Sequence, residues 1–342
     1  MTISLYTPRE SDAWDNLILS ANDYSFFHSF AWAKVIAMTY GYPLSYIAVR
    51  DGEDFAAIPI MTVPNIVFSA KGVCLPFSDS CGPVFTSRRA LNELMTYVLK
   101  LAQARNWRKF ELRADCAVPE LKGYDRYFEH VLQLSSDVEQ IFASFRSSTR
   151  RNIEKALREG VEAKISNSAD SMEAYYWLHC RTRKRLGVPP QPKSFFCNIY
   201  KHVVQPGNGF IVKACYRGKT IAAAVFLHFG ETSVYKFGAS LPDSAHLRPN
   251  NLVLWKGIRW YASHGFKELS LGRTDSEDFG LMQFKNGWGG RCREIVYSRW
   301  QAQECFQRKF HTSHFQVLSS IMKVLPLPIL KMLGTVAYRF FG

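Results

Sequence analysis

The stretch GLMQFKNGWGG, residues 280–290, sets a single lysine, Lys285, beside Phe284 and three residues before Trp288, with four glycines around them. An ammonium fixed among aromatic rings can stabilise an oxyanion as it forms, and one such donor is worth on the order of 3 kcal/mol in a transition state. The glycines would let backbone approach a substrate closely, and Trp288 would then form part of the substrate wall. The competing reading is a surface lysine beside a packed Phe-Gly turn.

Other familiar engines are missing from the sequence. There is no G-x-S-x-G, no H-E-x-x-H and no P-loop, since Gly218-Lys219-Thr220 lacks the upstream glycine and falls in an expected hairpin. His311 and His314 in HTSH have no third ligand nearby, so no metal site is expected. Arg273 and Asp275, in LGRTDSED, follow the last helix-strand unit, where open α/β sheets place ligand-binding residues. Lys34, Tyr235 and Asn250 are candidates for the same cleft, and Asn250 is equally suited to capping a helix.

The elements that must position these groups follow from periodicity. In LSYIAVRDGEDFAAIPIMTV, two alternating apolar runs flank Asp51-Gly52, a strong hairpin signal. Leu91, Leu94, Val98 and Leu101 recur at helical spacing, and KFELRAD then reads as a strand. The second half repeats the order: strands around turns at Arg217-Gly218 and Gly230, a helix over NNLVLWKGIRWYASHG, then the strand FKELSLGR. Gly52 matches Gly218 at an offset of 166 residues, and Phe110 matches Leu269 at 159. Offsets this close point to a degenerate duplication, against chance likeness of two mixed patterns. The expected division is 1–140, 141–300 and a helical, partly apolar tail over 301–342.

Between the halves, residues 137–165 predict a basic helix with Ile153 and Leu157 on an apolar stripe and Gly160 as its stop. Arg146, Arg150, Arg151, Lys155 and Arg158 crowd its other surface, either as a solvated face or as a rail for phosphates, with Arg151 the candidate substrate contact.

Composition sets the limits. With 43 Lys+Arg against 29 Asp+Glu, the chain carries a formal charge of +14, suited to nucleic acid, nucleotide phosphates or an anionic membrane face without choosing among them. Its eight cysteines show no C-x-x-C pair, as expected for reduced thiols in a cytosolic protein. The opening MTISLYTPRESD does not resemble a signal peptide. The tail is apolar but broken by Lys323, Pro326, Pro328 and Lys331, so it is not expected to cross a bilayer; residues 315–342 either lie in a membrane interface or pack back on the protein.

One resemblance gathers these observations. In their order along the chain, FFHSFAWAKV, RRNIEKALREGVE, RLGVPPQPKSFF, YKFGAS, RPNNLVLWKGI and GLMQFKNGWGG resemble the FemABX-like (Fem-type) transferases, over residues 22 to about 300. The resemblance implies two tandem GNAT-like (acyl-CoA N-acyltransferase-like) domains with mixed α/β sheets. It implies aminoacyl-tRNA as donor, an amine-bearing cell-envelope precursor as acceptor, no resident cofactor, and a reaction centre at Phe284 and Lys285. Asp115 matches a family aspartate suggested for proton removal, though a strand-end aspartate that caps a turn reads equally well. The departures narrow the acceptor. Where relatives that bind a uridine-diphosphate-linked precursor place a lysine, an arginine and two tyrosines, the aligned positions hold Ile36, Gln191, Phe195 and Phe237, which cannot clamp a pyrophosphate. The chain therefore resembles the FemAB-like branch found with envelope polysaccharide and protein-sorting systems. Two alternatives stay open: an acyl-CoA-dependent acyltransferase, disfavoured because HLRPNNLVLW lacks the glycines of a pyrophosphate-binding turn, and an inactive basic scaffold.

Overall fold

Each half runs through one series: a strand, two helices, three strands in antiparallel succession, a crossover helix, a strand parallel to the one before it, and a final strand. In the first half these are β1 (Thr2–Tyr6), α1 (Ser11–Leu19), α2 (Phe30–Tyr40), β2 (Leu44–Asp51), β3 (Asp54–Pro64), β4 (Ala70–Val73), a side strand β5 (Val84–Phe85) on β3, α3 (Arg88–Ala104), β6 (Trp107–Arg113) and β7 (Lys122–Gln133). In the second, after α4 (Val138–Ser144) and α5 (Ser147–Arg158), they are β8 (Glu162–Ser166), α6 (Ala169–Arg185), α7 (Lys193–Ile199), β9 (Gly209–Tyr216), β10 (Lys219–Phe229), β11 (Thr232–Ser240), α8 (Pro249–Ser263), β12 (Glu268–Asp275), an inserted α9 (Phe279–Asn286) and β13 (Arg291–Gln301). Helices α10 (Thr312–Val324) and α11 (Leu327–Ala337) follow. The computed structural model describes residues 1–7, 10–64, 70–114, 118–302 and 312–340, with side chains from 318 onward in α10.

The strands of both halves form one continuous sheet. Its order is β1-β2-β3-β4-β6-β13-β7-β12-β11-β10-β9-β8, a sequence that reads the same from either edge once the halves are matched. At its centre the halves exchange their last strands. β7 pairs with β12, β13 pairs with β6, and β7 and β13 pair with each other, all antiparallel. The parallel pairs β4/β6 and β11/β12 lie on either side of that seam.

Local chemistry explains the elements. Ser87 caps α3 by accepting from Ala90 N, and Leu91, Leu94, Met95 and Val98 then bury one face against β2, β3 and β6. The expected basic helix is two helices. Phe145 leaves the helical conformation and turns its ring into the core at 2% exposure, so the chain breaks between α4 and α5. On α5 the buried stripe is Thr149, Ile153 and Ala156; Leu157, expected beside Ile153, is 56% exposed. The helix read over NNLVLW is likewise capped differently: Arg248 takes the cap position with φ 57° and Pro249 the first turn, while Asn250 donates to Ser240 Oγ at 3.0 Å. Pro326 and Pro328 split the tail into α10 and α11 as their chemistry dictates.

Candidate active site

Two irregularities aim side chains at the seam. Opposite Phe226 and Val225 of β10, strand β11 carries Tyr235 and Phe237, which leaves Lys236 as an extra, bulged residue. On β12, Leu271 and Gly272 together face the single residue His130 of β7, and Gly272 there adopts φ +74°. A side chain at Gly272 would be strained at that φ and would press on Asp79 Oδ2 at 3.1 Å. A third irregular segment comes from the first half: after β4 the chain turns through Leu75 and Phe77, both at positive φ, and delivers Asp79. Such strain persists only where surrounding contacts over-determine it. Here Ser78 accepts from the Trp32 indole at 3.0 Å, and Tyr297 of β13 donates to Asp79 O at 2.8 Å.

Lys285 occupies the last turn of α9. That stretch is a helix rather than the flexible loop its glycines suggested, because Asp278 caps it by accepting from Leu281 N at 3.0 Å. Gly287 follows where a side chain would run into Thr149 of α5, and Arg146 N donates to Gly287 O at 3.0 Å. The glycine thus serves close packing of α9 on α5 rather than approach to substrate.

Lys285 is 3% exposed, and its Nζ donates to Gly272 O at 2.6 Å and Arg273 O at 3.2 Å. Burial pulls its pKa down to about 8, against the opposing pull of Asp79 and Glu129. Asp79 is largely buried, its side chain 14% exposed. Burial works to raise its pKa, but the Lys236 ammonium, hydrogen-bonded to its Oδ1 at 2.6 Å, and the charges of Arg273 and Lys285 hold it below the ordinary value. Arg273 stacks 4.0 Å over the Tyr127 ring and donates to Tyr297 Oη at 3.0 Å. Glu129 of β7, 4% exposed, accepts from Ser270 Oγ at 2.6 Å and Arg293 Nε at 2.7 Å. Beside Lys285, Asn286 Oδ1 accepts from His130 Nε2 at 2.9 Å, which anchors the end of α9 to β7. A cavity of about 520 Å³ with mixed polar and apolar walls adjoins the group; Ser80, next to Asp79, and Arg293 stand in its wall with Asp23, His28 and Arg88. Lys285 itself is not in that wall.

Of the residues singled out from sequence, Lys285 and Arg273 meet at Gly272; Tyr235 reaches it only through its backbone O, 3.3 Å from where a Gly272 side chain would begin, while its ring packs on Phe226 at 5.3 Å. Phe284 packs half-buried, its ring edge-on to Trp288 at 5.8 Å. Trp288 is not a substrate wall: fully buried and edge-on to Phe145 at 5.0 Å, it is core that seats the end of α9. Asp275 accepts from Glu277 N at 3.1 Å and shapes a turn. Asn250 is exposed at the start of α8, Arg151 exposed on α5 and Lys34 exposed on α2 near His202, none joined to the Lys285 cluster by a hydrogen bond or ion pair among the described residues. Asp115 and His311 lie outside the described residues. Asp79, Lys236, Tyr127, Glu129 and Tyr297 were missed. They are scattered over a loop and three strands, and only Gly82-Pro83, just after SDSC, hints at a turn there. The positions aligned with a nucleotide clamp are filled by packing: Ile36 and Phe195 are fully buried, Phe237 sits edge-on to Phe195 and Phe196, and Gln191 Oε1 is buried.

Comparison with known proteins agrees with this architecture. Residues 143–286 match the acetyltransferase (GNAT) domain family. The chain is 21% identical to a lipid II:glycine glycyltransferase of Staphylococcus haemolyticus, over 78% of this chain and 85% of that one. It is 24% identical to a UDP-N-acetylmuramoylpentapeptide-lysine N(6)-alanyltransferase of Weissella viridescens, over 42% of each. The crystal structure of FemX superposes with a TM-score of 0.73 at 16% identity, covering 93% of this chain and all of that one. The tandem GNAT-like fold is therefore that of this chain.

Proposed function

We propose that this chain is a Fem-type transferase that transfers an aminoacyl group to a free amine of a cell-envelope precursor, with Lys285 as the electrostatic catalyst. The relatives' names describe transfer of glycine and of alanine, the latter to N6 of a lysine. In this reading the donor is aminoacyl-tRNA and the reaction takes place in the cytoplasm.

The attacking amine nitrogen forms a bond to the ester carbonyl carbon, and the carbonyl oxygen becomes an oxyanion. When that intermediate collapses, the ester C–O bond breaks and the departing ribose oxygen takes up the proton lost by the amine. The observation that carries the proposal is the fixed, buried ammonium of Lys285. Nζ has three protons, and among the described residues two carbonyls take two of them, leaving one for the developing oxyanion. The Gly272 bulge and the α9 cap hold that nitrogen in place beforehand, so little reorganisation is needed as charge builds. Asp79 is a positioning group: the neighbours that keep it ionised also make it a weak base.

The test supplies the purified chain with aminoacyl-tRNA and an amine acceptor and follows consumption of charged tRNA. K285A should remove most of the acceptor-dependent consumption. Saturable acyl-CoA binding with no response to charged tRNA would favour the coenzyme A alternative, and indifference to K285A in every assay would favour a scaffold.

A further inference from the structure

The hairpin of α10 and α11 is apolar on two opposite faces. One face covers the protein. Leu330 is fully buried, Gly334 sits against the Pro190 carbonyl, and Tyr338 accepts from Arg183 at 2.7 Å while its ring approaches Phe77 at 6.1 Å. The other face turns away from it: Leu318, Ile321 and Val324 on α10, and Ile329, Met332 and Val336 on α11, are 41–78% exposed. A helix that is apolar all round is either enclosed by protein or laid against lipid, and a contiguous exposed apolar patch marks an interaction surface. No helix among the described residues is long and apolar enough to cross a membrane.

Charge selects the partner. From Cys305 to the end, the sequence has five Lys or Arg and no Asp or Glu. Lys323, Lys331 and Arg339 are exposed along the hairpin. The end of α6 adds Arg181, Lys184, Arg185 and the exposed Leu186, and it is fastened to the hairpin by Ser319 Oγ donating to Leu186 O at 3.4 Å. Apolar side chains that insert, ringed by cations that meet headgroups, are the pattern of an interfacial helix. A second copy would bring the same positive sign to the contact.

We propose that the α10–α11 hairpin, with the basic end of α6, docks this protein on an anionic lipid bilayer, lying in the interface rather than crossing it. This inference does not depend on the transferase reading. The test floats the full chain with vesicles of phosphatidylcholine alone and of phosphatidylcholine mixed with phosphatidylglycerol, at low and high salt. The expected result is co-flotation with the anionic vesicles, weakened by salt. The I321S/V336S pair should lower partitioning roughly tenfold or more, because side chains that cannot insert forfeit their transfer free energy, with an unchanged unfolding midpoint. K323E/R185E, at exposed positions, keeps the test open if the first pair unfolds, and should abolish the preference for phosphatidylglycerol. Failure to bind either vesicle, undiminished binding by both variants, or light scattering that shows a dimer dispersed by I321S/V336S would overturn the proposal.

Discussion

The two halves share an element order and differ in how they settle buried charge. In the N-terminal half, Lys71 on β4 and Lys109 on β6 both pair with Glu111, at 3.4 and 2.6 Å, so the cluster closes on itself. In the C-terminal half the matching parallel pair carries Lys236 and Arg273, and α9 adds Lys285. Their nearest counter-charge, Asp79, is lent by the other half and is already engaged by Lys236. Lys285 is left with carbonyls. A closed cluster consolidates a fold, whereas a buried cation short of its anion has attraction to spare for a ligand.

Removing the shared acid should have the largest effect. D79N leaves Lys236 buried without its partner and should cost roughly 3–5 kcal/mol in urea unfolding. E111Q should cost a similar amount in the other half, since it strands Lys71. The two should part in the pH profile: D79N removes a charge that supports the Lys285 ammonium and should move the alkaline limb of turnover to lower pH, while E111Q should leave that limb in place.

K285A comes next, with an expected loss of about 100-fold or more in turnover, near 3 kcal/mol. K71M should stay within a few-fold. Equal losses for the two would erase the distinction between the halves.

The pH dependence of Lys285 sharpens the contrast through stability. Its folded pKa of about 8 lies below the ordinary lysine value of 10.5. Between those limits the unfolded chain holds a proton the folded chain has lost, so the folded state gains on the unfolded as pH rises through 8 towards 10.5, by up to about 3 kcal/mol. Turnover that needs the ammonium should fall over the same range. Denaturation of K285M should lack that portion of the gain. The smallest effects belong to N250A and D275A, surface changes expected within about 0.5 kcal/mol of wild type by thermal melts.

Much of this was legible because it is local. The hairpins at Gly52 and Gly218, the α3 stripe and the duplication rest on short-range spacing, and the structure forms all of them. Phe284 and Lys285 were singled out by their setting in GLMQFKNGWGG and then by family likeness, which adds long-range information that spacing lacks. Trp288 misled because an aromatic beside a candidate lysine looks the same whether it faces a ligand or Phe145. Asp79 and Lys236 were invisible for another reason: they lie 157 residues apart in sequence and meet only because the halves join at a common seam.

That seam has a consequence for heredity. Each half completes the other's sheet with its own last strand, so a gene cut at the middle yields two fragments with open edges and missing neighbours rather than two working modules. A half traded for a foreign copy, in evolution or in an engineered chimera, would have to bring a last strand that fits the other half's sheet.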